Sequence, residues 1–156
     1  MSMNIPDYIE GIPTSRRAMG ERKMLITNYY DELMIKLQKE KGIYAVYNNY
    51  LGVDVYIVKN ESDKKTAFEA SKHWKSTYAV KHLYSIIKEA YSPDGMQLFD
   101  SVKNGTQRKN GYKGIALLYY TFANEKLDYL NFSVKLTIGI KGDGKHIQYC
   151  VNKIDI

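Results

Sequence analysis

Three histidines, His73, His82 and His146, are the side chains of this 156-residue sequence that ordinarily titrate near neutrality, so acid–base chemistry is sought around them first. His73 has the richest surroundings. In Ser71-Lys72-His73-Trp74-Lys75-Ser76-Thr77 an imidazole stands among two cations and several hydroxyls. There His73 could pass a proton while Lys72 and Lys75 meet a phosphate. His82 falls off the apolar stripe of its own segment and reads as an exposed or edge residue. A second stretch, Val102 to Gly114, carries Lys103, Arg108, Lys109 and Lys113 with no acid and three glycines. Such a loop can follow a phosphate backbone, and Tyr112 offers a ring for stacking on an unpaired base.

The missing motifs narrow the chemistry. There is no GxxxxGK[ST] loop, no dinucleotide glycine fingerprint after a strand, no HExxH and no GxSxG, which removes the main signatures of P-loop ATPases, Rossmann enzymes, zincins and α/β-hydrolases. One cysteine, Cys150, cannot form an internal disulfide, and with three scattered histidines it gives no zinc-ligand pattern. No metal and no cofactor are expected. The formal charge of +6 and pI near 9.2 favour an anionic partner, RNA or a protein–RNA complex. Fifteen tyrosines add rings that are useful half-buried in sheets and useful against bases. No apolar run approaches the ~20 residues of a membrane span, and the first residues lack the charged-then-apolar order of a secretion signal. A cytoplasmic protein without a membrane partner is the expectation.

The elements that position these residues follow from apolar spacing. Residues 1–20, with Pro6, Gly11, Pro13 and Gly20, read as a flexible arm, and 21–156 as a single α+β domain. Ile26, Tyr30, Leu33 and Leu37 define a helix stopped by Gly42. Ile43–Tyr47 and Val53–Val58 make a strand pair. Ala67, Ala70, Ser71 and Trp74 share a face of a short helix, and Val80, Leu83, Tyr84, Ile87 and Tyr91 define another that Pro93 ends. The chain closes in a meander. Apolar residues occupy the even positions from Leu130 to Ile140, so the odd positions, including Lys135 and Thr137, face the other way. Continued alternation after the Gly-rich turn at 141–145 places His146, Gln148 and Cys150 opposite Ile147, Tyr149 and Val151. The expected fold is therefore α+β, with N-terminal helices on one face of an antiparallel sheet and a C-terminal β-meander.

Lys72-His73, the run Leu83 to Ala90, and Val134-Lys-Leu-Thr-Ile138, in that order, resemble the barnase-like endoribonuclease superfamily, which includes EndoU, colicin and RelE-type domains. The likeness covers about residues 52–156 and is nearest to domains borne by polyvalent proteins of phages and conjugative elements. It implies metal-independent RNA cleavage, a hydrolase-like activity on RNA held free or by a host effector. His73 would be the acid or base, Lys135 the cation that stabilises the phosphorane, and Thr137 a hydroxyl donor, with His146 and Gln148 approaching from the neighbouring strand. The arginine usual in that family has no clear counterpart beyond Arg108. The other expectation is a non-catalytic phage inhibitor, anti-CRISPR-like, that engages a host protein–RNA complex through a basic, Tyr-rich face.

Overall fold

A computed structural model describes residues 4–93, 97–99 and 111–154, with backbone alone for 97–99. The 23-residue helix α1 (Met19–Lys41) buries Ile26, Tyr30, Leu33 and Leu37, one stripe at spacings of four, three and four. Each such side chain stabilises the fold by about 1.5–3 kcal/mol. Gly42 ends the helix at φ 73°, where its amide closes onto the Leu37 and Gln38 carbonyls. Before α1, β1 (Tyr8–Ile9) and β2 (Ile12–Pro13) form a small antiparallel hairpin. Glu10 and Gly11 both have positive φ, as a two-residue hairpin turn demands. Residues 8–13 are thus an ordered hairpin where an arm was expected. Ile9 and Ile12 supply the reason, since they are buried against Trp74, Tyr78 and Leu130.

Arg22 pins this hairpin to the domain. Although charged, it is buried, and its guanidinium donates to the carbonyls of Ser71, Pro13 and Ser15. Burial lowers its proton affinity from the ordinary value.

The strands β3 (Ala45–Asn48) and β4 (Val53–Tyr56) form the expected hairpin. Asn48 is buried at its turn and donates from Nδ2 to the Ile87 and Ala90 carbonyls, at 2.7 and 2.9 Å. Two breaks divide the helical region that follows. The helix α2 (Ser62–Ala70) stops because the Ala70 carbonyl accepts from the Thr77 hydroxyl and the Ser71 carbonyl from Arg22. The helix α3 (Trp74–Lys81) then starts afresh, so Trp74 opens a helix and does not close one. A second break at His82, φ −107° and ψ 29°, separates α3 from α4 (Leu83–Glu89). Tyr91 lies past the helix and pairs through its backbone with Tyr119.

The six-stranded sheet runs in the order β3-β4-β8-β7-β6-β5, with β5 (Gln97–Phe99), β6 (Tyr112–Phe122), β7 (Phe132–Lys141) and β8 (His146–Lys153). The α+β architecture and closing meander are as expected, but β4 pairs β8 in parallel and makes the sheet mixed. The helices and the even-numbered face of β7, Val134, Leu136 and Ile138, enclose the main core. A smaller cluster, Tyr112, Ile115, Ile147, Tyr149 and Cys150, lies on the other face. There Tyr112 lies across Gly139, and a Cβ at Gly139 would come within 2.4 Å of its ring. Among the described residues no helix is long and apolar enough to cross a membrane.

Candidate functional site

A β-bulge sets which side chains share a face. The register pairs Thr137 with Cys150 but Ile138 with Gln148, so Tyr149 is an extra residue and parity flips there. Gln148 therefore turns into the core, a correction to its expected place on the polar face. It is fully buried, and its Oε1 accepts from the Tyr30 hydroxyl at 2.7 Å while Nε2 donates to Thr66 Oγ1 at 3.2 Å. The Tyr30 and Thr66 oxygens, 3.0 Å apart, close the ring. Burial drives the Tyr30 phenol well above its ordinary range. His146 is in register with Ile140 and Val55, also off the Lys135 face. Its Nδ1 lies 2.8 Å from the Gly144 carbonyl.

The same bulge assembles a different set. Lys135 sits opposite Asn152 and Thr137 opposite Cys150, so these four project from one side of a single antiparallel pair. Beyond Ile147 the edge of β8 is flanked by α2, from which Lys65 and Glu69, four residues apart, reach the same cleft. Lys65, Glu69, Lys135, Thr137, Tyr149, Cys150 and Asn152 line a cavity of about 170 Å³. Glu69 is held between two cations, with Lys65 Nζ and Lys72 Nζ each 3.4 Å from a carboxylate oxygen. Burial alone would raise its pKa, but the Lys72 hydrogen bond and the charges of Lys72 and Lys65 outweigh it, and the carboxyl stays below its ordinary value. Lys135 has no ion-pair partner among the described residues.

Two further groups complete the cleft. Burial, with the Glu69 charge beside it, pushes the Cys150 thiol up to about 12, so it is neither nucleophile nor ligand at neutral pH. Its place as a buried strand residue explains it. The buried Tyr149 hydroxyl has no hydrogen-bond partner among the described residues, and burial raises its pKa, with the charges of Cys150 and Glu69 adding to it. Being buried, that hydroxyl does not face a ligand in the cleft, whose anion-holding groups are Lys135 and the Thr137 hydroxyl, with Lys65 already paired to Glu69.

The expected catalytic set divides between the two sides of the sheet. Lys135 and Thr137 share the cleft, and His73 is not among its lining residues. His73 is the N-cap of α3, where its Nδ1 accepts from the Lys75 amide at 3.0 Å. Its ring stacks at 5.9 Å on Trp74, which packs at 6.3 Å against Phe132 on the helix-covered face. Lys75 stays on that side, with Nζ 5.8 Å from the Trp74 ring centroid and 5.5 Å from Phe132. Lys72 borders the cleft through Glu69, and its Nζ also stands 4.4 Å over the exposed Phe68 ring. Tyr112, expected as a stacking surface, is buried. Its hydroxyl donates to Glu61 Oε2 at 3.2 Å, and its ring meets Tyr149 edge-on at 5.4 Å. Lys103, Arg108 and Lys109 lie outside the described residues.

Sequence reasoning missed Lys65, Glu69 and Asn152. The i,i+4 spacing of Lys65 and Glu69 within a helical stretch was the available signal for two of them. Asn152 needed knowledge of the bulge. Among the described residues no group of three or more His, Cys, Asp or Glu side chains could hold a metal. No family model, curated protein or solved structure matches this chain.

Proposed function

We propose that the protein binds RNA, free or within a host protein–RNA complex, and acts by occupying it without cutting it. The observation that carries this reading is the composition of the outer-face cleft. Lys135, which has no ion-pair partner among the described residues, and the Thr137 hydroxyl can hold a phosphate, while Lys65 and Lys72 offset the Glu69 carboxylate beside them. Of the titratable groups in the cleft, neither Glu69 nor Cys150 is tuned for proton transfer near neutrality, because Glu69 is held ionised by two lysines and Cys150 is held as a thiol. The formal charge of +6 supports the same partner. An inhibitor or adaptor of the kind phages deploy against protein–RNA effectors would use such a face.

The endoribonuclease reading keeps one supporting observation: Lys135 and Thr137, the cation and hydroxyl that the barnase-like resemblance implies, do share a cleft. One assay separates the two. Purified protein is incubated with a panel of end-labelled RNAs in EDTA, and both bound fraction and RNA length are followed. Binding with intact RNA is expected for the wild type and for His73→Ala alike. Lys135→Glu should weaken binding without unfolding the protein. Cleavage that His73→Ala abolishes would replace the binder with a nuclease, and failure of every RNA to bind at low salt would overturn the proposal.

A further inference from the structure

A second cleft opens between the β3–β4 hairpin and the turn joining β7 to β8, lined among others by Tyr47, Asp54, Tyr56, Gly144 and Lys145. In the hairpin register Tyr47 stands directly opposite Asp54, and Tyr56 lies two residues further along the same strand. All three therefore share one face, and Tyr47 and Tyr56 are diagonal neighbours about 7–8 Å apart. The Tyr47 ring leans toward Gly52, its hydroxyl 3.6 Å from where a Gly52 Cβ would stand, so Asp54 lies between the two rings and a flat ring can rest on either one. Tyr47 is 49% exposed, and Tyr44 and Tyr50 beside it are exposed as well. Tyr44, level with Ile57, falls on the opposite side of the hairpin, so Tyr47 is the exposed strand ring on this face.

Charge decides what fits. Among the described residues no ion pair or side-chain hydrogen bond involves the Asp54 carboxylate, so it is a free acceptor between the two rings. A carboxylate there repels a phosphate and accepts from the N–H or amino donors on the edge of a nucleobase. Lys145 lies at the rim, its Nζ 4.4 Å from the Tyr56 ring centroid, where a backbone phosphate of the same nucleotide can reach it. Tyr56 pairs in register with Ile147, on the same side of β8 as Cys150, so this cleft and the Lys65–Lys135 cleft open on one side of the sheet.

We infer that the Tyr47–Asp54–Tyr56 cleft takes an unpaired base of the bound RNA, stacked on Tyr47 with its donor edge at Asp54, and so restricts the protein to single strands. This rests on the RNA-binding reading above and adds a second contact to it. A base-paired strand has its edge donors engaged and its ring faces covered, so it cannot enter.

The test compares a single-stranded RNA of about ten nucleotides with a blunt duplex of the same sequence, by fluorescence anisotropy. Wild-type protein should bind the single strand at least about tenfold more tightly. Stacking is worth about 1–3 kcal/mol per base, so Tyr47→Ala should lose roughly 5- to 150-fold on the single strand and nothing on the duplex. Tyr47→Phe, which keeps the ring, should bind like wild type. Equal affinity for both RNAs, or a Tyr47→Ala protein that is folded by circular dichroism and still prefers the single strand, overturns this inference alone. Absence of binding to either RNA overturns the RNA reading and this inference with it.

Discussion

The buried ring of Tyr30, Gln148 and Thr66 gives the sharpest test of the bulge, because Gln148 reaches Tyr30 only if one extra residue has turned it inward. In Tyr30→Phe the Gln148 Oε1 loses a 2.7 Å donor and the Thr66 hydroxyl loses the oxygen 3.0 Å away, both in fully buried surroundings. An unsatisfied buried polar group costs about 1–3 kcal/mol, so the variant should lose about 2 kcal/mol. In a domain of this size that is a fall in Tm of about 4–8 °C. Gln148→Leu removes the nearest acceptor of the Tyr30 hydroxyl but leaves it the Thr66 oxygen at 3.0 Å and the Ser62 carbonyl at 3.2 Å, so it should cost less, about 1 kcal/mol. The double variant leaves Thr66 alone unsatisfied, and its hydroxyl still has the Tyr149 carbonyl at 3.5 Å. The two losses should therefore fall short of additivity by about 1 kcal/mol or more. Urea unfolding of the four proteins, with matched m-values, measures this cycle. If Gln148→Leu is neutral or stabilising and the two substitutions add, then Gln148 lies on the wetted face as unbroken alternation expects, and the bulge and the cleft built on it are wrong.

Other expectations concern the supports of the site. Gly139→Ala drives a Cβ into the buried Tyr112 ring and should destabilise by about 1–3 kcal/mol in the same urea assay. Arg22→Met leaves the Ser71, Pro13 and Ser15 carbonyls without their donor and should cost about 3 kcal/mol, with faster proteolysis of residues 8–13 as the local readout. His82 has its pKa lowered from 6.5, chiefly by burial and further by Lys81, against the opposing pull of Glu10 at 3.7 Å. The rings of Tyr78 and Phe122 also face it. The unfolded chain therefore binds the proton more readily, so this contribution to stability is complete above about 6.5 and is lost as pH falls below it. Thermal midpoints taken from pH 8 to 5.5 should decline in wild type more than in His82→Gln.

Period-2 alternation in β7 and 3.6-residue spacing in α1 made the core legible, because both elements bury one face along their whole length. The α2–α3 and α3–α4 breaks were hidden. The apolar stripe from Val80 to Ile87 continues past His82 without interruption, and the donor to the Ser71 carbonyl, the Arg22 guanidinium, comes from 49 residues away. The hairpin at 8–13 was read as an arm because Pro and Gly mark turns without saying what Ile9 and Ile12 will touch. For the site, Lys135 and Thr137 were placed together correctly by parity within one strand. His146 and Gln148 were misplaced by carrying parity across a bulge, whose trace in the sequence is that the apolar positions pass from odd, at Ile147 to Val151, to even, at Ile154 and Ile156.

The central claim, that the Lys65–Lys135 cleft holds RNA phosphate, is met most directly by the salt dependence of single-strand binding. A slope of log Kobs against log salt measures phosphates neutralised, at about −0.7 per contact. The Lys65→Gln/Lys135→Gln protein should bind more weakly at every salt concentration and show a slope shallower by at least about 0.7 than wild type, the share of Lys135, since Lys65 is already paired to Glu69. An unchanged slope in the folded double variant would contradict the account and move the RNA, if bound at all, away from this cleft.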